Sequence, residues 1–163
     1  MKFKKQSKTT STQLEIPVFF LDRTFGKERL AAILREAGFV FVTHFEEYGD
    51  GGHNLGDPAI IKDCGLKKRV LITGDQDLVY TWAKEIRKAK IAVFITTNNK
   101  DGPDKWGPRI IEAREDILRE LGRRKKPFAG TISTEGRITQ VKVFHGKNWK
   151  TITISAKAHK KPR

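Results

Sequence analysis

The chain has 163 residues, a formal net charge of +14 and a single cysteine. That length accommodates one domain with a genuine core, and the lone Cys64 excludes an intramolecular disulfide, as fits a reducing compartment. The basic excess points to an acidic partner, of which nucleic acid is the commonest, because neutralising phosphates releases condensed counterions.

The charge is unevenly placed. Residues 14–118 hold 16 Lys/Arg against 17 Asp/Glu, whereas residues 119–163 hold 13 against Glu120 and Glu135, so the excess lies at the ends. Anionic lipid is a poorer partner, since the basic ends lack the apolar face of a membrane-surface helix. No apolar run reaches the length of a membrane span, and IPVFFL (16–21) is too short for a signal peptide. A cytoplasmic protein with no membrane association is expected.

In chain order, residues 1–13 (MKFKKQSKTTSTQ) have almost nothing to bury and are expected to be a disordered basic tail, as are residues 155–163. IPVFFL is a continuous apolar run of strand length. Leu30, Ile33, Leu34 and Ala37 recur at helical spacing across 27–37, with Gly38 at the expected C-terminal cap. FVFVT (39–43) predicts a second strand. Residues 44–56, rich in glycine and polar groups, read as an exposed loop. DPAIIKDCG, from Asp57, predicts a short helix with an aspartate N-cap and proline in its first position. RVLIT (69–73) is a third strand, 77–89 a helix, KIAVFIT (90–96) a fourth strand, and 108–121 a helix closed by Gly122. This alternation argues for an α/β fold with a mostly parallel sheet between helical layers. After RRKKP, the alternating FAGTISTEGRITQVKVF predicts an antiparallel hairpin, to which WKTITIS adds a third strand. This basic β appendix (123–154) is either a small subdomain or an extension at the edge of the main sheet.

Asp22 follows the first strand, Asp57 opens a helix, and Asp75 and Asp77 follow the third strand in RVLITGDQDLVY. In a parallel sheet these positions converge on one edge, where ligands sit. Each acid has an ordinary alternative: a helix cap for Asp57 and Asp77, an Asx turn for Asp75, and an ion pair for Asp22. Like charges brought together destabilise a fold unless neutralised. A hard divalent cation, Mg²⁺ or Mn²⁺, would do so and would activate water against a phosphodiester. The scattered His44, His53, His145 and His159 have no zinc-ligand spacing, and no P-loop or nucleophile elbow is present.

FFLDR, GDPAIIKDC and VLITGDQDL together resemble the PIN-like nuclease family, in particular its compact prokaryotic branch related to the VapC-type toxins. The resemblance covers roughly residues 16–98, and Leu78 stands where the family usually has phenylalanine. It implies a three-layer α/β/α domain over 14–122 and metal-dependent endoribonuclease activity. It also implies Asp22, Asp57 and Asp75 as catalytic, metal-holding acids, with Asp77 as a supporting fourth, and a hydroxyl beside the site at Thr73. An antitoxin protein and a homodimer are the partners it suggests. The family often carries a glutamate on a helix between the first two aspartates; here that interval holds Glu46 and Glu47. Arg123, Arg124, Lys125 and Lys126 are the expected nucleic-acid contacts, with RNA as the expected substrate. The competing readings are a catalytically inactive nucleic-acid-binding module and a Toprim-like phosphotransfer domain. The latter requires a glutamate at the end of the first strand, where Asp22 stands.

Overall fold

The computed structural model describes residues 16–50, 55–97 and 100–154; the tails expected at 1–13 and 155–163 lie outside the described residues. β1 (Val18–Leu21), β3 (Arg69–Thr73) and β4 (Ala92–Thr96) are short and almost wholly buried, as strands covered on both faces must be. With β2 (Phe41–Thr43), β5 (Phe128–Ile132), β6 (Ile138–His145) and β7 (Asn148–Thr153) they form one seven-stranded sheet, ordered β2-β1-β3-β4-β5-β6-β7. The first five in that order are parallel; β6 and β7 add antiparallel.

Strand side chains alternate between faces, and the core divides accordingly. Phe19, Leu21, Val70, Ile72 and Phe94 pack with Leu30 and Leu34 of α1 (Arg29–Glu36), Ile110 of α6 (Pro103–Glu112) and Ile117 of α7 (Arg114–Arg123). Phe20, Leu71, Val93 and Ile95 pack on the other face with Ile60 and Ile61 of α3 (Asp57–Leu66), Val79 of α4 (Leu78–Thr81) and Ile86 of α5 (Ala83–Ala89). The result is a mixed α/β structure with helices on both faces of a mostly parallel sheet.

Of the two placements open to residues 123–154, the sheet order gives the edge extension. β5 pairs with β4 along its whole length, and Phe128, Ile132, Ile138 and Val141 complete one core cluster. Buried Asp116 of α7 accepts a hydrogen bond from Ile138 N (3.1 Å) and pairs with Arg137, which fixes the start of β6 against the helical layer.

Several expected boundaries move. The loop expected at 44–56 begins with a helix, α2 (His44–Tyr48), because Thr43 and Glu46 form a capping box. The helix expected at 77–89 breaks at Trp82, and the one expected at 108–121 starts instead at Pro103 and breaks at Ala113. The strands expected from Phe39 and Lys90 start two residues later; Lys90 adopts a left-handed conformation (φ 54°) that no strand residue takes.

Gly65 of α3 lies against α5 so closely that a Cβ there would stand 2.8 Å from the Ala89 carbonyl oxygen. Gly65→Ala is therefore expected to cost about 1–3 kcal/mol, the usual range for overpacking. The check is a lower urea midpoint at an unchanged m-value.

Candidate active site at the carboxyl ends of the strands

From β1 the chain turns to β2 on one side and later returns to β3 on the other. The crevice beyond the carboxyl ends of β1 and β3 is thus the point where strand order reverses, the usual ligand position in open parallel sheets. Asp22 stands there. The register Leu21↔Ile72 sets it beside Thr73, and its N–H donates to the Ile72 carbonyl (3.1 Å).

The Asp22 side chain is only 4% exposed. Locally it caps the single 3-10 turn Arg23–Phe25, accepting from Arg23 N at 2.7 Å. Its other oxygen accepts from Thr73 Oγ1 at 2.8 Å, with Thr24 Oγ1 at a weaker 3.5 Å. Thr73 Oγ1 in turn accepts from Asp75 N (3.1 Å), and Asp75 Oδ1 accepts from Asp77 N (3.0 Å). One hydrogen-bonded chain therefore joins Asp22, Thr73, Asp75 and the backbone of Asp77. Burial pushes the Asp22 carboxyl above the ordinary aspartate range; bonds from Thr73 and Arg23 N oppose that rise, and the charge on Asp57 reinforces it.

Asp57 departs from its expected role. The N-cap of α3 is Gly56, and Asp57 is the first helical residue, with no side-chain capping bond. It is half-buried and close enough to Asp22 to raise that group's pKa. Asp75 does form the Asx turn foreseen for it, while remaining partly exposed. Asp77 is the N-cap residue of α4, but its exposed carboxylate makes no capping bond. All four acids thus share one edge. Among the described residues, however, no three His, Cys, Asp or Glu side chains converge tightly enough to hold an ion by themselves.

Glu46 and Glu47 lie elsewhere. Glu46 completes the α2 capping box and pairs with Arg35, while Glu47 pairs with Lys67 and Arg69. Arg123, Arg124, Lys125 and Lys126 precede β5, which runs parallel to β1, so they occupy the amino edge of the sheet, opposite Asp22. Five residues of strand separate the two edges by about 16 Å. Arg123 and Arg124 are also engaged with buried Glu120.

Thr96 is a polar residue of this edge that the pattern of aspartates does not include. It ends β4 as Thr43 ends β2 and Thr73 ends β3, and all three are buried. In sheet order the carboxyl edge reads Thr43, Asp22, Thr73, Thr96. Thr96 Oγ1 is fully buried without a hydrogen-bond partner among the described residues, a vacancy that ordinarily costs about 1–3 kcal/mol. The signal was present in the repeated strand endings FVT, LIT and FIT.

Comparison with protein-family models, curated proteins and solved structures gives no significant match. Among the described residues, no helix is long and apolar enough to cross a membrane.

Because Asp22 is a weaker acid folded than unfolded, its ionised form opposes folding above the folded pKa. That cost fades as pH falls through the folded value and is absent below the unfolded one, near 3.8. Asp22→Asn is expected to raise Tm at pH 7.5 and to converge with the parent protein in acid. Each tenfold difference in acid strength is worth about 1.4 kcal/mol, or about 3–6 °C for a domain of this size, measurable by calorimetry across pH.

Proposed function

We propose that the protein is a metal-dependent endoribonuclease of the PIN-like type, with its active site at the carboxyl edge around Asp22. The observation that carries this reading is a buried carboxylate, oriented by a buried hydroxyl and subject to the charge of a second acid, Asp57, at the crevice where strand order reverses. Structural acids elsewhere in the chain are treated differently: buried Asp116 is met by Arg119 and Arg137, and buried Glu120 by Arg123 and Arg124.

The donor set here is all oxygen, which suits Mg²⁺ or Mn²⁺. Asp22 and Asp57 are the residues that would hold the ion, with Asp75, whose backbone N–H is tied to Thr73, as a further candidate. Mg²⁺ commonly binds through one or two carboxylates and retains several waters, so this small set fits it. When bound, the ion supplies an activated water and neutralises charge on the phosphate. Thr73 holds Asp22 in one orientation and couples it to the backbone of the Asp75 turn. Arg23, exposed beside Asp22, provides a cation at the mouth of the crevice. A toxin role extends the same reading: an antitoxin would act by covering this edge.

The test is cleavage of single-stranded RNA with Mg²⁺, with Mn²⁺ and with chelator. Cleavage is expected only with a divalent ion, and Asp22→Asn and Asp75→Asn are each expected to lower it about 100-fold or more while remaining folded by circular dichroism. Glu135→Gln, in the exposed turn before β6, is the control expected to leave cleavage unchanged. Binding without turnover under every ion would favour the inactive nucleic-acid-binding module. Turnover that ignores chelator and both aspartate substitutions would overturn the assignment.

A further inference from the structure

The amino edge of the sheet, opposite Asp22, carries two open cavities that meet at Lys126. The larger, about 770 Å³, lies beneath the starts of β1, β3 and β4; its apolar floor includes Val70, Ile91 and Leu121, and its rim includes Lys68, Lys90 and Lys126. The smaller, about 410 Å³, runs from Arg123–Lys126 to Phe144. No aspartate or glutamate lines either one among the described residues.

The cations here fall into two groups. Lys67 and Arg69 are neutralised by Glu47 and Asp63, and Arg123 and Arg124 by Glu120. Lys68, Lys90, Lys125 and Lys126 are exposed, and none of the ion pairs of the described residues includes them. Helix C-termini favour cations in general, which accounts for basic residues in the last turns. It does not account for Lys68 and Lys90 following α3 and α5 in the left-handed region, each at φ 54°. Glycine or asparagine normally takes that position. Two lysines held there at the rim of one cavity, without a carboxylate, are an arrangement that points to an anionic ligand.

An aromatic surface closes the far end of the row. Phe144 lines the smaller cavity and stacks on Trp149, with ring centroids 3.8 Å apart and planes 24° apart. Trp149 is anchored through Nε1 to the Val79 carbonyl (2.8 Å), so the pair is rigid. Unpaired bases stack on such side chains whatever their sequence, while neighbouring lysines take the phosphates.

From these features we infer that the amino edge is a binding groove for single-stranded nucleic acid, with Lys68, Lys90, Lys125 and Lys126 on the phosphates and Phe144 against a base. The choice of nucleic acid rests on the nuclease reading; the location does not. Because the groove and Asp22 lie at opposite edges, holding a strand and cutting it are separable.

The experiment uses the full chain and a fluorescent single-stranded oligonucleotide of about 12 residues, enough to exceed a minimal stacking site, in chelator so that nothing is cleaved. Anisotropy is followed across salt concentration. The triple variant Lys68→Glu/Lys90→Glu/Lys126→Glu is expected to lose at least about tenfold in affinity, and its slope of log affinity against log salt to fall by about 2, from three phosphate contacts. The milder triple alanine variant guards against misfolding and is expected to show the same slope change. Phe144→Ala weakens binding without altering the slope. Glu135→Gln binds like the parent, and the triple variants still cleave a dinucleotide if the parent does. Parental affinity and slope in the triple variants overturn the inference. So does an equal loss in Lys62→Glu/Lys84→Glu/Lys105→Glu, which matches the charge change away from the groove. Absence of cleavage with binding mapped to this groove would instead remove the nuclease assignment and leave the groove standing.

Discussion

A parallel sheet sends every strand toward the same edge, and the helices that return the chain point the opposite way. Strand ends and helix starts therefore share one edge, while strand starts and helix ends share the other. Helix dipoles give the two edges opposite partial charge, and the side chains follow. Asp57, Asp77 and Asp104 stand at helix starts, whereas Arg87, Lys88 and Arg123 stand in last turns. The electrical polarity of the molecule is in this sense a consequence of strand direction. A chain whose central 105 residues are almost neutral acquires an acidic and a basic end by folding.

What the dipole does not explain is Asp22. A cap for one 3-10 turn needs no burial, and a buried acid that serves stability is met by guanidinium, as Asp116 and Glu120 are. Asp22 accepts its hydrogen bonds from hydroxyls and a backbone amide, and it feels both the charge of Arg23 and that of another carboxylate, Asp57. Hydrogen bonds of that kind orient a carboxylate but only partly replace the hydration it has lost. The fold thus bears a local cost at the crevice where strand order changes, and the Thr96 hydroxyl, without a hydrogen-bond partner among the described residues, extends the same polar row onto β4. Both features have a physical use when a ligand or an ion supplies the missing interactions.

The antiparallel end of the sheet completes this arrangement. β5 has to be the fifth parallel strand because the chain leaves α7 at the amino edge, and that places the RRKKP linker away from the acids. β6 and β7 then widen the sheet, and Phe144 and Trp149 pack on each other and against the α4–α5 layer. The basic segment is joined to the rest by core packing and by the Asp116 latch, so it shares the rigidity of the main sheet.

The local sequence was sufficient for the strands and helices whose period, caps and glycines act over a few residues. IPVFFL, RVLIT and KIAVFIT announced buried strands, and the position of an aspartate directly after VFFL was legible at once. The α2 helix was hidden because the glycines that follow it outweighed the Thr43–Glu46 capping box in a composition-based reading. Tertiary structure alone decided that β1 lies between β2 and β3, and hence that Thr73 reaches Asp22 across 51 positions of sequence. It alone set Arg123–Lys126 at the opposite edge from the acids they were expected to serve. The reason is that strand order depends on long-range pairing and crossover direction, which leave no mark within any short window of residues. The polypeptide specified which side chains end each strand, and only the closed sheet specified which of those ends would be neighbours.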